Sequence, residues 1–162
     1  VKPGTAYLCG LLHNFGVLLL GHLFQPEYFL LNKMCLANPG CGLADIEKRL
    51  LCVAESQKFL THGQMGAWLM KHWNMPEEVI TVTAQHHNKE VDGPHRAYVA
   101  LVQIANAFLA RQGISDCVDS ALPDWALACL GIEQSVIEKV FTDIENDSAE
   151  LDRMAKLMAG GK

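Results

Sequence analysis

This chain has little charge. Only 19% of its residues are charged, and the net charge is −5 at pH 7. Without a basic excess the surface cannot neutralise a run of phosphates, so broad nucleic-acid binding is not expected. Alternating strand patterns are scarce, and no repeat or low-complexity segment occurs. The start carries no basic segment leading to a small-residue cleavage site, so it does not read as a signal peptide. There is no Cys-x-x-Cys pair. Cys9, Cys35, Cys41, Cys52, Cys117 and Cys129 lie within apolar helical patterns of a chain too long to need staples. They read as reduced, buried core thiols in a cytoplasmic protein.

What is present is enough apolar residue for a core. Half of the 162 residues are hydrophobic, which suits a single globular domain. The run from Tyr7 to Phe24 approaches membrane length, but His13, Asn14 and His22 lie inside it and Gly16 interrupts it. A buried core helix over Tyr7 to Leu20 is the expectation, with no membrane crossing. The chain lacks an initiator Met and opens almost at once on a helix. A further helical segment upstream is therefore expected.

Helical signals fill the rest. Pro3 can start the first helix, with a break near Gly16. A second runs from near Pro26 to the Asn38-Pro39-Gly40 turn. Asp45 to Phe59 carries charges on one side and Ile46, Leu50 and Val53 on the other, as a surface helix does. Thr61 can cap the next helix, and Asn74-Met75-Pro76-Glu77-Glu78 reads as a stop and a new start that runs to His86-His87. Asp92-Gly93-Pro94 predicts a turn, Arg96 to Arg111 an apolar helix, and Pro123 to Gly131 a short one. Glu133 to Met158 supplies polar-faced helices, and Gly160 to Lys162 a frayed end. The fold class is all-α, a single helical bundle.

The chemistry-bearing residues are His13, His62, His86 and His87. An apolar helix ending in His-Asp offers an imidazole and a carboxylate to one metal ion; here the text is Leu12-His13-Asn14, and the amide brings no charge. Gly66 follows His62 by one turn and lets another helix approach. His22, His72 and His95 read as solvated or undetermined, and Trp68 and Trp73 as core aromatics.

In this order the residues resemble the HD superfamily of metal-dependent phosphohydrolases, and within it the HDOD domain of bacterial signalling proteins. The matching text is Ala6 to Gly16, His62 to Leu69, Trp73-Asn74-Met75-Pro76 and Gln85-His86-His87. The resemblance covers about residues 5–113, with 114–162 as accessory helices of one domain spanning 1–162. It implies an HD-type bundle whose ligand positions are His13, His62, His86 and His87. Asn14 stands at the first Asp position and Asn106 at the late one, and Val17 replaces a lysine of active relatives. The Gly-Tyr-Pro triplet of cyclic-dinucleotide phosphodiesterases is absent, and Asn88 replaces their acid.

The implied function is a non-catalytic output module for signalling or protein interaction, with signalling proteins, flanking domains or a second copy as partners. It has no catalytic residue and no required cofactor. Any ion held by the histidines would be a divalent metal such as zinc, iron or manganese. The rival reading is a metal-dependent phosphohydrolase acting on a nucleotide or cyclic dinucleotide through an atypical site. A bare helical oligomerisation domain is the third.

Overall fold

A computed structural model describes residues 1–53, 58–116 and 119–159. The chain is all-α, apart from two paired two-residue strands. It divides into two compact units, Val1–Leu130 and Gly131–Lys162. In the first unit α1 spans Pro3–Leu12, α2 Phe15–Leu23, α3 Gln25–Ala37 and α4 Leu43–Leu50. They are followed by α5 at His62–His72, α6 at Glu77–Gln85, α7 at Arg96–Arg111 and α8 at Asp124–Leu130. The second unit holds α9, Gln134–Ala159. The fraying expected of Gly160 to Lys162 lies outside the described residues.

The punctuation of the sequence sets most of these bounds. Pro3 occupies the first turn of α1 and Pro26 that of α3, where the missing N–H costs nothing. Asn74 ends the α5 segment in the left-handed region at φ 52°, and Gly93 and Gly131 take positive φ in the turns after α6 and α8. The run Tyr7 to Leu20 is not one helix. It breaks at His13-Asn14, before Gly16, into α1 and α2.

Nor is that run buried. Tyr7 is 71% exposed, Leu11 62% and Leu18 66%, because α1 packs on α6 and α7 by one side and α2 on α5 and α3 by one side. Pro3–Leu23 is apolar enough by length and composition to cross a membrane, but the break divides it at two polar residues.

The Asp45 to Phe59 helix is also corrected. Helix α4 stops at Leu50; Cys52–Val53 (β1) then pairs antiparallel with Lys58–Phe59 (β2), Cys52 opposite Phe59. The β-branched and aromatic residues there suit a strand better than a helix end.

Among the described residues, two apolar clusters contribute to the core. Cys9, Met70, Val79, Val82, Val99 and Val102 join α1, α5, α6 and α7. Leu20, Leu31, Ile46 and Met65 join α2, α3, α4 and α5. Helix α5 belongs to both, and glycines let it approach α2 and α6 closely. A Cβ on Gly16 would strike the His62 carbonyl oxygen, and one on Gly66 would stand 2.7 Å from Thr83 Cγ2.

Cys9, Cys35, Cys41 and Cys129 are free thiols, but only Cys9 is fully buried. The Cys52 side chain and Cys117 lie outside the described residues. Trp68 and Trp73 are exposed rather than core aromatics. Trp68 stacks on His72 one turn along the outer side of α5, and Trp73 meets Phe15 edge to face.

Candidate functional site

His62 opens α5, and a capping box fixes that start. The Thr61 side chain accepts from the Gln64 N–H, and Gln64 Oε1 accepts from the Thr61 N–H. The first residue of the helix is thereby placed inside the bundle, with no exposed surface. Glu47 on α4 is equally buried. Its Oε2 accepts from the His62 backbone N–H at 3.0 Å and from ring Nδ1–H at 2.8 Å.

His86 caps the C-terminal end of α6. Its Nδ1–H donates to the Thr83 and Val82 carbonyls at 3.0 and 3.2 Å. With both Nδ1 atoms committed, Nε2 of His62 and Nε2 of His86 face one another at 3.2 Å. His87 Nε2 lies 3.1 Å from His62 Nε2. Asp116, between α7 and α8, completes the group. Its Oδ2 stands 3.0 Å from His87 Nε2 and 3.6 Å from His62 Nε2. The four donor atoms all lie within 4.8 Å of one another. This His/Asp group is of a kind that can bind a metal ion.

His13 belongs to the same neighbourhood without joining the four. Its ring meets His86 edge to face, centroids 4.9 Å apart. Nδ1–H donates to Gly10 O at 2.7 Å, and Nε2 accepts from the Asn106 amide at 3.3 Å. Asn14 Oδ1 is buried with no hydrogen-bond partner. The structure therefore gathers His13, His62, His86 and His87, with Asn106 bonded to His13. It adds Glu47 and Asp116, which the sequence reading missed.

Glu47 did carry a signal. It follows Leu43 by four residues and precedes Leu50 by three, so it falls on the apolar stripe of α4 rather than its charged side. Asp116 carried none, because it sits in an aperiodic segment and reaches the histidines only through tertiary folding.

Burial governs the electrostatics. It pulls His86 down to about 2, reinforced by His87, His62 and His13, so the ring is neutral. Burial also lowers His13, against the opposing hydrogen bond to Gly10. For Asp116 burial acts to raise the carboxyl, but the hydrogen bond from His87 and the electrostatic influence of the neighbouring imidazoles outweigh it. The group is held below the usual carboxylate range.

One edge of the cluster opens on a cleft of about 430 Å³, lined by His86, His87, Lys89, Gln103, Asn106 and Trp125 among others. Gln103 fixes its wall by donating to Asn88 O at 2.7 Å and accepting from Trp125 Nε1–H at 3.0 Å. Acidic Glu90, Asp119 and Asp124 also line it, which disfavours a highly charged phosphate ligand.

Comparison with known proteins agrees with the architecture. The fold matches a crystal structure from Marinobacter aquaeolei VT8, described as a "Putative signal transduction protein", with a TM-score of 0.80 and 29% identity. The match covers 96% of this chain and 33% of that one. An uncharacterized protein of Treponema pallidum (strain Nichols) is 28% identical over 102 residues, 62% of this chain and 18% of its own length. This chain thus spans a third or less of either relative. The HDOD domain profile matches residues 1–89, more than half of the sequence. The chain belongs to the HDOD domain family.

Proposed function

We propose that this domain is a non-catalytic output module, working by contact with signalling proteins or with domains beside it rather than by hydrolysis. The observation that carries the reading is the bond from Asn106 to His13. In a phosphohydrolase of the HD type, those positions present an imidazole lone pair and a carboxylate to a hard divalent ion held open to water. Here the lone pair of His13 accepts an amide N–H at 3.3 Å, and the position next to His13 is a neutral Asn14. Neither amide supplies the charge that anchors such an ion or offsets developing phosphate charge.

An interaction role draws support from the exposed apolar residues of α1, α2 and α3, Tyr7, Leu11, Leu18 and Phe29 among them, since large exposed apolar groups on a stable fold mark contact surfaces. The relatives are about three times as long as this chain, which suits a module that acts beside others, and the reading places it in the cytoplasm.

The test is direct. Wild-type protein with manganese, zinc or iron should release no product from cyclic dinucleotides, nucleoside triphosphates or simple phosphodiesters above the blank. Turnover that disappears in His62→Ala would transfer the function to the hydrolase class.

A further inference from the structure

We propose that the cleft beside the histidine cluster binds a small organic cation, an amine or guanidinium compound with an apolar stem. Asn106 Oδ1 on its floor takes one N–H of the ligand, and Glu90, Asp119 and Asp124 at its rim take the charge. Binding stands apart from the question of catalysis. Only the use made of the ligand, as an input to which the module responds, rests on the output-module reading.

The neutral donors of the lining are committed inside the protein. Gln103 gives its Nε2–H to the Asn88 carbonyl at 2.7 Å, and Trp125 gives Nε1–H to Gln103 Oε1 at 3.0 Å. Asn106 gives its amide N–H to His13 Nε2 at 3.3 Å. An anion entering the cleft has none of these to accept from.

An acceptor is left over. Asn106 is only 4% exposed and lines the cleft. With the nitrogen turned to His13, Oδ1 diverges from that bond and has no hydrogen bond of its own among the described residues. Nor is that oxygen sealed within the core. A carbonyl oxygen short of partners at the bottom of a cleft favours an N–H donor from a ligand.

The rim adds the sign of the charge. Glu90, Asp119 and Asp124 line the cleft and are exposed, and among the described lining residues Lys89 is the one ammonium against them. Asp119 Oδ1 accepts from the Ala121 N–H at 2.9 Å, which fixes that carboxylate and leaves its other oxygen to a ligand. Rim carboxylates alone would be a solvated face. The buried acceptor beneath them is what makes the cleft a site.

The walls suit an apolar stem. Leu122 and Trp125 both line the cleft, and the bond to Gln103 holds the indole, whose face attracts cations. The volume of about 430 Å³ falls in the small-molecule range of roughly 300–1,000 Å³.

The experiment uses the whole chain and two probes of equal charge and stem, 1,6-diaminohexane and its fully methylated counterpart, hexane-1,6-bis(trimethylammonium). Binding is followed by calorimetry and by the assigned indole N–H resonances in NMR. One equivalent of the diamine should bind, shifting the Trp125 signal saturably and leaving those of Trp68 and Trp73 in place. The methylated dication has no N–H for Asn106 and should bind at least about 10-fold more weakly, as befits the loss of a charge-assisted hydrogen bond. Glu90→Gln combined with Asp124→Asn should weaken the diamine about 3- to 10-fold. Both positions are exposed, so the fold is retained, which circular dichroism checks.

The idea is overturned by the absence of a saturable Trp125 shift, by equal affinity of the two dications, or by equal affinity of wild type and the double variant. Tighter binding of adenosine monophosphate or pyrophosphate than of the diamine overturns it as well. Hydrolysis of a phosphodiester would overturn the output-module reading and leave this one standing, so the two fail separately.

Discussion

His13 and Asn106 show how one atom can decide what a site does. The amide offers N–H to the unprotonated Nε2 of His13; a carboxylate in the same place has nothing to donate. Asn106→Asp should therefore favour the imidazolium, which alone can pair with the new charge. In the wild type, burial holds His13 below its ordinary value. Histidine titration followed by NMR should place it higher in the variant, by at least about one pH unit for an opposite charge at this range. The sign for stability follows. A depressed histidine costs the fold stability as pH falls through 6.5, since the unfolded chain then binds the proton that the folded chain refuses. Raising His13 removes that loss, so Asn106→Asp should flatten the acid side of the melting-temperature profile. An unchanged titration of His13 would mean that its environment is set by something other than this bond.

The histidines were legible in the sequence because helix punctuation brackets them: Thr61 sits before His62, and Pro76 starts the helix that ends at His86. The buried carboxylates were not. Glu47 is followed by Lys48 and Arg49, which disguise it as part of a solvated face, and Asp116 lies where no period operates.

At the level of the elements, α5 is placed by two local devices, the first of which the sequence displays outright. One is its capping box, worth about 1 kcal/mol by the usual cost of replacing a capping Thr with Ala. The other is the glycine contact with α2. Gly16 faces the His62 carbonyl and the Gly66 backbone so closely that no side chain fits, and the obstruction is main chain, which cannot swing aside. Thr61→Ala should lower stability by about 1 kcal/mol in urea denaturation. Gly16→Ala should cost about 3 kcal/mol, the upper end for overpacking a filled core. It should also push His62 off the cluster, which a change in the His62 and His86 ring resonances in NMR, out of proportion to the Thr61→Ala effect, would register. Gly66 was readable as a close-approach residue, while Gly16 looked merely like an interruption, because sequence shows spacing along a helix but not which glycine it meets. The α4 segment was misread for a related reason. Its amphipathic period runs on into Cys52-Val53, and only the pairing with Lys58–Phe59 reveals the helix end.

For the chain as a whole, the distribution of apolar surface is the property that composition could not foretell. The long apolar run was expected inside, yet Tyr7 and Leu11 on α1, Leu18 on α2 and Phe29 and Leu36 on α3 stand mostly in solvent. Half of the residues are hydrophobic, and a domain of this size cannot enclose all of them; which ones remain outside is decided by how α1 and α2 pack. Tyr7 and Leu11 are one turn apart and so share a side of α1, and at about 25 cal/mol per Å² of apolar area covered such groups favour association. The net charge of −5 is small enough not to oppose it strongly. The isolated protein should accordingly self-associate with rising concentration in light scattering. Leu11→Glu combined with Leu18→Glu should shift it to monomer without lowering its melting temperature by more than a few degrees, since both side chains already face water. The same double change should weaken capture of a signalling partner, if α1 and α2 form the contact surface. A wild type that stays monomeric at every concentration, and a variant that keeps full partner binding, would move the interface away from these helices and leave their exposed leucines without a role.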